Sequence, residues 1–347
     1  MQLLSRFVLS SLLALVAGGA TADDGALRAR VAALVTEHLM IDSDTPGIQL
    51  YLRNKRPKQL QPSAARTLLY VHGATYPSET AFDLPLDGLS WMDYIAAHGW
   101  DVWLVDLRGY GRSTRPAEMD QPAEANPPIV TTDVAIRDVS SAVGFILKRR
   151  GLQKLDLLGW SWGTTIMGGY TAVNNDKVNR LVLYAPVWLR TSPSLIAGAG
   201  PLGAYRTVTR DAARNRWLAG VPEDKVAALI PPGWFEQWAD ATWATDPRSK
   251  DSGLLRAPNG VIHDVRTYWM QGQSLYDPGE IRVPTLIIQA EWDQDTPPYM
   301  AQAVFAKLAR APYRRRVEIG EGTHTVIMEK NRMQLFREVQ LFLDEEN

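Results

Sequence analysis

The chain contains no cysteine. No disulfide can form, so stability must come from an ordinary core, and a lipoprotein anchor, which needs a cysteine at its cleavage site, is excluded. Charge imbalance is also missing, with 37 Lys and Arg against 38 Asp and Glu. A near-neutral chain has no field to attract nucleic acid or an anionic lipid surface. There is no H-E-x-x-H, no clustering of His, Asp and Glu at metal-site intervals, and no internal repeat. Beyond the first residues, no apolar stretch reaches membrane-spanning length.

The start of the chain has the layout of an export signal. Arg6 is followed by the apolar run Phe7 to Val16, too short to span a bilayer, then by the small-x-small site Ala20-Thr21-Ala22 and by Asp23-Asp24. Residues 1–22 are therefore expected to be removed on export, to the periplasm or the medium. About 325 residues would remain, enough for one large α/β domain with an insertion.

Strand-like and helix-like runs then alternate. Ile48 to Arg53, Thr67 to Val71, Asp101 to Asp106, Leu155 to Leu158, Arg180 to Ala185, Pro284 to Ala290 and Arg315 to Ile319 read as strands, and Lys55 to Pro57 as a turn. Leu89 to His98, Thr132 to Arg150, Thr164 to Val173 and Asn331 to Asp344 read as helices, and His38 is assigned to a helical stretch near the start. Strands apolar on both faces and separated by helices predict a mostly parallel sheet flanked by helices. Ligands then sit at the carboxyl ends of the strands. Residues 23–188 and 281–347 are assigned to this core. The segment 189–280 is too long for a loop, shows no clear strand and is rich in Trp, Pro and Gly. It is expected to form a helical cap. Its tryptophans Trp217, Trp234, Trp238, Trp243 and Trp269 would fill the cap's own core or line a substrate cavity.

Gly159-Trp160-Ser161-Trp162-Gly163 lies between a strand and a helix. A serine on so tight a turn is pushed clear of the backbone, glycines permit the strand–helix crossing, and the following amide, that of Trp162, can hold a developing oxyanion. A serine hydroxyl needs a base, and the base an orienting carboxylate. Among five histidines, His324 in Gly320-Glu321-Gly322-Thr323-His324 follows the last strand and precedes the last helix, which puts it at the carboxyl edge. His72 precedes a loop that should supply an oxyanion amide and reads as structural, His98 as a helix-end residue, and His263 as a polar cap residue. After the strand Pro284 to Ala290, three carboxylates compete: Glu291, Asp293 and Asp295. Asp293, nearest the start of the turn, is preferred. The turn Ala185-Pro186-Val187-Trp188 after the preceding strand offers no acid.

The order Ser161, Asp293, His324 is that of α/β-hydrolases, and from about residue 45 onward the chain resembles an α/β-hydrolase-fold serine hydrolase. His72-Gly73-Ala74 is similar to that family's oxyanion loop, Asp106-x-Arg108-Gly109-x-Gly111-x-Ser113 to its turn after the fourth strand, Asp293-x-x-Thr296-Pro297 to its acid turn, and Gly322-Thr323-His324 to its histidine loop. The resemblance implies a triad of Ser161, Asp293 and His324, oxyanion amides on Ala74 and Trp162, an ester as small-molecule substrate, and no cofactor or metal. Ala74-Thr75 departs from the lipase-like HGGG loop, which weakens a lipase reading, and a serine at the elbow excludes dehalogenases and epoxide hydrolases, which use aspartate there. Trp160, Trp188, Trp234 and Trp238 are expected at a hydrophobic or aromatic substrate, although Trp160 and Trp162 could instead wedge the elbow in place.

Two rivals remain at this point. A peptidase of the proline iminopeptidase type would need a cap carboxylate for the substrate amine, from among Glu223, Asp224, Glu236, Asp240, Asp246, Asp251 and Asp264. A binding protein on the same scaffold would need no intact Ser, His and Asp set. Gly198-Ala199-Gly200-Pro201-Leu202-Gly203 matches G-x-G-x-x-G with Glu223 downstream, but no convincing strand precedes it, so it reads as a hinge or loop.

Overall fold

The computed structural model describes residues 25–345, so residues 1–22, expected from the sequence to be an export signal, lie outside the described residues. Eight strands form the main sheet: β1 (Leu34–Asp42), β2 (Gln49–Pro57), β3 (Thr67–Val71), β4 (Asp101–Val105), β5 (Leu155–Trp160), β6 (Val178–Tyr184), β9 (Thr285–Ala290) and β10 (Arg314–Ile319). Their order is β1-β2-β4-β3-β5-β6-β9-β10. From β4 to β10 neighbours are parallel, while β2 runs antiparallel to both β1 and β4.

Period-two alternation divides the apolar strand residues between two cores. Leu69, Val71, Leu157, Leu181, Leu183 and Ile287 face one side. Leu68, Tyr70, Leu158, Val182, Leu286 and Ile288 face the other. Helices α1 (Trp91–Ala97), α2 (Thr132–Arg150) and α3 (Trp162–Val173) follow strands of the first half. Ser90 and Asp93 close a reciprocal capping box on α1. Lys148, Arg149 and Arg150 end α2 before Gly151, whose φ of 66° turns the chain out of the helix.

Between β6 and β9 the chain leaves the sheet. This insertion carries α4 (Arg210–Trp217), α5 (Trp234–Trp243) and α6 (Gly260–Thr267). It is not all helical as expected. β7 (Tyr205–Val208) and β8 (Leu255–Pro258) pair antiparallel from Tyr205↔Pro258 to Val208↔Leu255. They are short and far apart in sequence, so no hairpin turn announces them. Its residues join both cores, Val261 and Trp269 one and Trp217 and Trp238 the other. The chain then returns through β9, α7 (Pro298–Lys307), β10 and α8 (Arg332–Asp344).

A second correction falls at the amino-terminal edge. His38 sits on strand β1, not on a helix, with Nδ1 2.6 Å from the Tyr51 hydroxyl. Lys55 to Pro57 do not turn but extend β2, because Leu34 to Thr36 pair with them. Gly198 to Gly203 follow no strand and open no helix, but lead into β7. Among the described residues no helix is long and apolar enough to cross a membrane.

Candidate active site

Ser161 stands at the sharp turn from β5 into α3 with φ 57° and ψ −122°, a conformation costly for a residue with a side chain. Hydrogen bonds hold it there. Ser161 N donates to Tyr184 O (2.9 Å), and Ser161 O accepts from the Thr164 amide (2.8 Å) and hydroxyl (2.6 Å). The flanking glycines are sterically required. A Cβ on Gly159 would lie 2.2 Å from Gly163 O, and one on Gly163 would lie 2.7 Å from His72 O.

His324 and Asp293 reach the same edge from the loops after β10 and β9. Asp293 Oδ2 lies 2.7 Å from His324 Nδ1. Asp293 also accepts from the Thr296 amide (2.7 Å) and hydroxyl (2.8 Å), which fixes the carboxylate's orientation. Burial pushes the His324 imidazole down, but the carboxylates of Asp293 and Asp295 outweigh it and hold the ring above its ordinary pKa. The backbone of His324 is tied as firmly: its carbonyl accepts from Trp160 Nε1 (3.1 Å) and from the Tyr184 hydroxyl (2.9 Å). Asp295 does not take the histidine. Its carboxylate pairs with Arg216 Nε at 2.9 and 3.0 Å.

Ser161 and His324 open into one cavity, together with Gly73, Ala74, Thr75, Tyr76, Trp160, Arg216, Trp217, Trp238 and Asp295. The loop Gly73 to Thr75 is braced on several sides. Buried His72, pushed down to about 4 by desolvation, is neutral. Its Nδ1 donates to Gly73 O (2.7 Å), and its Nε2 accepts from the Leu107 amide (3.1 Å). Ala74 O accepts from the Tyr110 hydroxyl (2.9 Å) and from Arg206 (2.7 Å). Gly73 touches the serine so closely that a Cβ there would sit 2.9 Å from Ser161 Cβ. The Trp162 amide lies in the first turn of α3, where backbone donors have no intrahelical acceptor.

These positions separate the tryptophans. Trp160 and Trp238 line the cavity, and Trp217, not singled out as a site residue, joins them. Trp188 does not. It lies on the other core, edge-on to Tyr276 at 5.5 Å. Trp234 does not either: it is half-buried at the start of α5, with the Arg332 guanidinium 4.4 Å over its ring. The Trp162 side chain wedges the elbow, its Nε1 donating to Thr132 Oγ1 (2.9 Å). The face of α4 that roofs the cavity carries Ala213, Arg216 and Trp217, an i, i+3, i+4 pattern legible in the sequence once the helix is placed. Glu329 was not foreseen. Buried, it accepts from Trp217 Nε1 (2.8 Å), from the Thr323 amide (3.0 Å) and from the Thr323 hydroxyl, and burial pushes its carboxyl up to about 7.

A family model for the alpha/beta hydrolase fold matches residues 66–331. The chain belongs to the alpha/beta hydrolase family. Two probable lipases of Schizosaccharomyces pombe are similar to parts of this hydrolase. One is 30% identical over 158 residues, covering 44% of this chain and 35% of that protein. The other is 26% identical over 150 residues, covering 42% and 30%. The chain thus spans well under half the length of either relative. Among solved structures, a hydrolase from Pseudomonas aeruginosa PA01 superposes with a TM-score of 0.61 at 17% identity, over 89% of this chain and 99% of that one. A membrane phospholipase A described as a bacterial virulence factor gives 0.59 at 16% identity, over 96% and 95%. A thermophilic esterase from Thermogutta terrifontis gives 0.58 at 15%, over 88% and 98%. These likenesses show the shared fold.

Proposed function

We propose that this hydrolase cleaves carboxylic esters of small hydrophobic or aromatic substrates through an acyl-enzyme. The observation that carries the reading is the Asp293–His324 hydrogen bond, set beside a serine on a strained elbow within one aromatic-walled cavity. Ser161 attacks the ester carbonyl and His324 takes its proton. The Ala74 and Trp162 amides hold the oxyanion, a contribution of roughly 3 kcal/mol for each donor. The protonated imidazole then gives its proton to the departing alcohol. Water, activated by the same histidine, releases the acid and restores the serine. Asp293 fixes the tautomer with the proton on Nδ1 and stabilises the charged ring.

The peptidase reading needs an unpaired carboxylate at the cavity. None of Glu223, Asp224, Glu236, Asp240, Asp246, Asp251 or Asp264 lines it, and Asp295, which does, is paired with Arg216. Turnover of p-nitrophenyl esters without turnover of amino-acid nitroanilides is the expected result. Nitroanilide cleavage alone would reverse the assignment, and turnover of neither would favour a binding protein.

The pH dependence follows from His324. The base must be neutral to accept the serine proton, and its pKa is held above the ordinary 6.5. The rising limb of a kcat/KM profile is therefore expected to have its midpoint above that value. Asp295→Asn removes one of the carboxylates that raise it and leaves Asp293 alone against Arg216, which lowers it. The midpoint should fall in that variant. A midpoint unmoved by the substitution would show that Asp295 does not act on the base.

Wall residues should set substrate choice. Trp238→Ala is expected to lower activity on a bulky ester relative to the acetate ester on the order of tenfold, as loss of a pocket contact does. Trp234→Ala, outside the cavity lining, should leave that ratio near the starting value. A ratio of kcat/KM values on one preparation is independent of how much protein is folded. Equal ratios in both variants would remove Trp238 from the substrate wall.

A further inference from the structure

The cavity beside Ser161 is not purely apolar. Arg216 lines it, and its donors are only partly used. Nε bonds both oxygens of Asp295, and Nη1 donates to Thr75 Oγ1 at 3.1 Å. No protein acceptor takes Nη2, and that nitrogen is not among the sealed, unpartnered atoms of the interior. It is therefore accessible, on a side chain that lines the cavity. Asp295 and Thr75 hold the guanidinium at its other two nitrogens, so the fork is fixed before any ligand arrives.

The local charge count gives a second, independent observation. Arg206 and Arg190 both lie against this region. Arg206 bonds Ala74 O, Thr75 Oγ1 and Pro258 O, and Arg190 bonds the carbonyls of Pro193 and Asp295. Neither has a carboxylate within ion-pair distance among the described residues. Desolvation pulls both guanidinium groups below their ordinary values, which marks cations held without a counter-ion. Three arginines thus stand against two carboxylates, Asp295 and Asp293: Arg216 and Arg190 feel both, and Arg206 neither. Buried cations without partners are costly, and a ligand that brings the missing negative charge relieves the cost.

We propose that the substrate of this site is an ester carrying a free carboxylate, which Arg216 receives through Nη2 while the ester carbonyl lies at Ser161. This deepens the ester reading and rests on it. Asp295 acts as a positioning residue for Arg216, and Arg206 supplies background positive charge behind the loop Gly73 to Thr75. An apolar wall of Trp160, Trp217 and Trp238 would take the remainder of the molecule. A charge-assisted, oriented contact of this kind also selects against the neutral analogue, because an unsatisfied guanidinium is left behind.

The test compares charged with neutral substrates and adds a non-reacting ligand. Mono-p-nitrophenyl glutarate is set against p-nitrophenyl pentanoate, which replaces the carboxylate by a methyl group. Acetoxybenzoate is set against phenyl acetate, to place the charge on the alcohol side. In the unaltered protein, kcat/KM for at least one charged ester is expected to exceed that of its neutral partner by about tenfold or more. Arg216→Gln should erase that preference, and Arg216→Lys should restore part of it. Since each preference is a ratio within one preparation, partial unfolding of a variant does not alter it. Separately, glutarate binding to the Ser161→Ala protein is followed by calorimetry, and Arg216→Gln should weaken it by about tenfold or more. Preference for both neutral esters, or a charged-ester preference that survives Arg216→Gln, would overturn the proposal. Glutarate binding that depends on Arg216 without turnover of any ester would instead overturn the ester reading and leave the anion site standing.

Discussion

Replacement of Ser161 by alanine is expected to reduce turnover of p-nitrophenyl acetate by about 10⁴-fold or more. The change removes one oxygen and keeps the Cβ that the elbow already accommodates. The hydrogen bonds that hold the turn come from the Ser161 backbone, not from its hydroxyl. Folding should therefore survive, with a thermal transition close to that of the unaltered protein. A variant that folds normally and keeps near-full activity would show that another group attacks the carbonyl.

The second large effect separates two carboxylates that stand only two positions apart in sequence. With a neutral ester, Asp293→Asn is expected to cost up to about 10⁴ in kcat, because an amide cannot hold the tautomer that puts the accepting nitrogen toward serine. Asp295→Asn should cost far less. Its carboxylate bonds Arg216 and reaches His324 only through its field. Burial raises the Asp295 carboxyl, yet Arg216 with His324 and Arg190 holds it below the ordinary value, so it is a charge the site keeps. Side-by-side kinetics on the two purified variants decide the matter, and the opposite ranking would transfer the orienting role to Asp295.

What was legible in the sequence, and what was not, divides along one physical line. Parallel strands buried on both faces read as short apolar runs, and the turns that leave them carry residues with strong local requirements. Ser161 and Asp293 are recognisable because each follows such a strand, while His324 follows the half-exposed edge strand β10 and is recognisable from its glycine-rich loop before the last helix. Strand β1 fails the same test. It is an edge strand, half-exposed along its length, and LVTEHLMID reads equally well as a helix until its pairing with β2 is known. The tryptophans fail for a different reason. Indole position depends on how the turn after β6 and the helices of the insertion turn their faces, and composition says nothing about that. So Trp188 and Trp234 look as eligible as Trp217, although only the last meets the cavity. Arg216 is hidden in the same way within the strongly basic α4, where its neighbours Arg210 and Arg214 pair with exposed acids.

Glu329 carries a consequence for the catalytic cycle. Its carboxyl holds the roof through Trp217 and, with the other donors it accepts, holds Thr323, the residue just before His324. Any motion that lifts Trp217 to admit substrate or let product go breaks into the same three-way joint that aligns the base. One buried carboxylate thus serves both the roof and the loop that carries His324, so Glu329→Gln is expected to loosen Trp217 and Thr323 together.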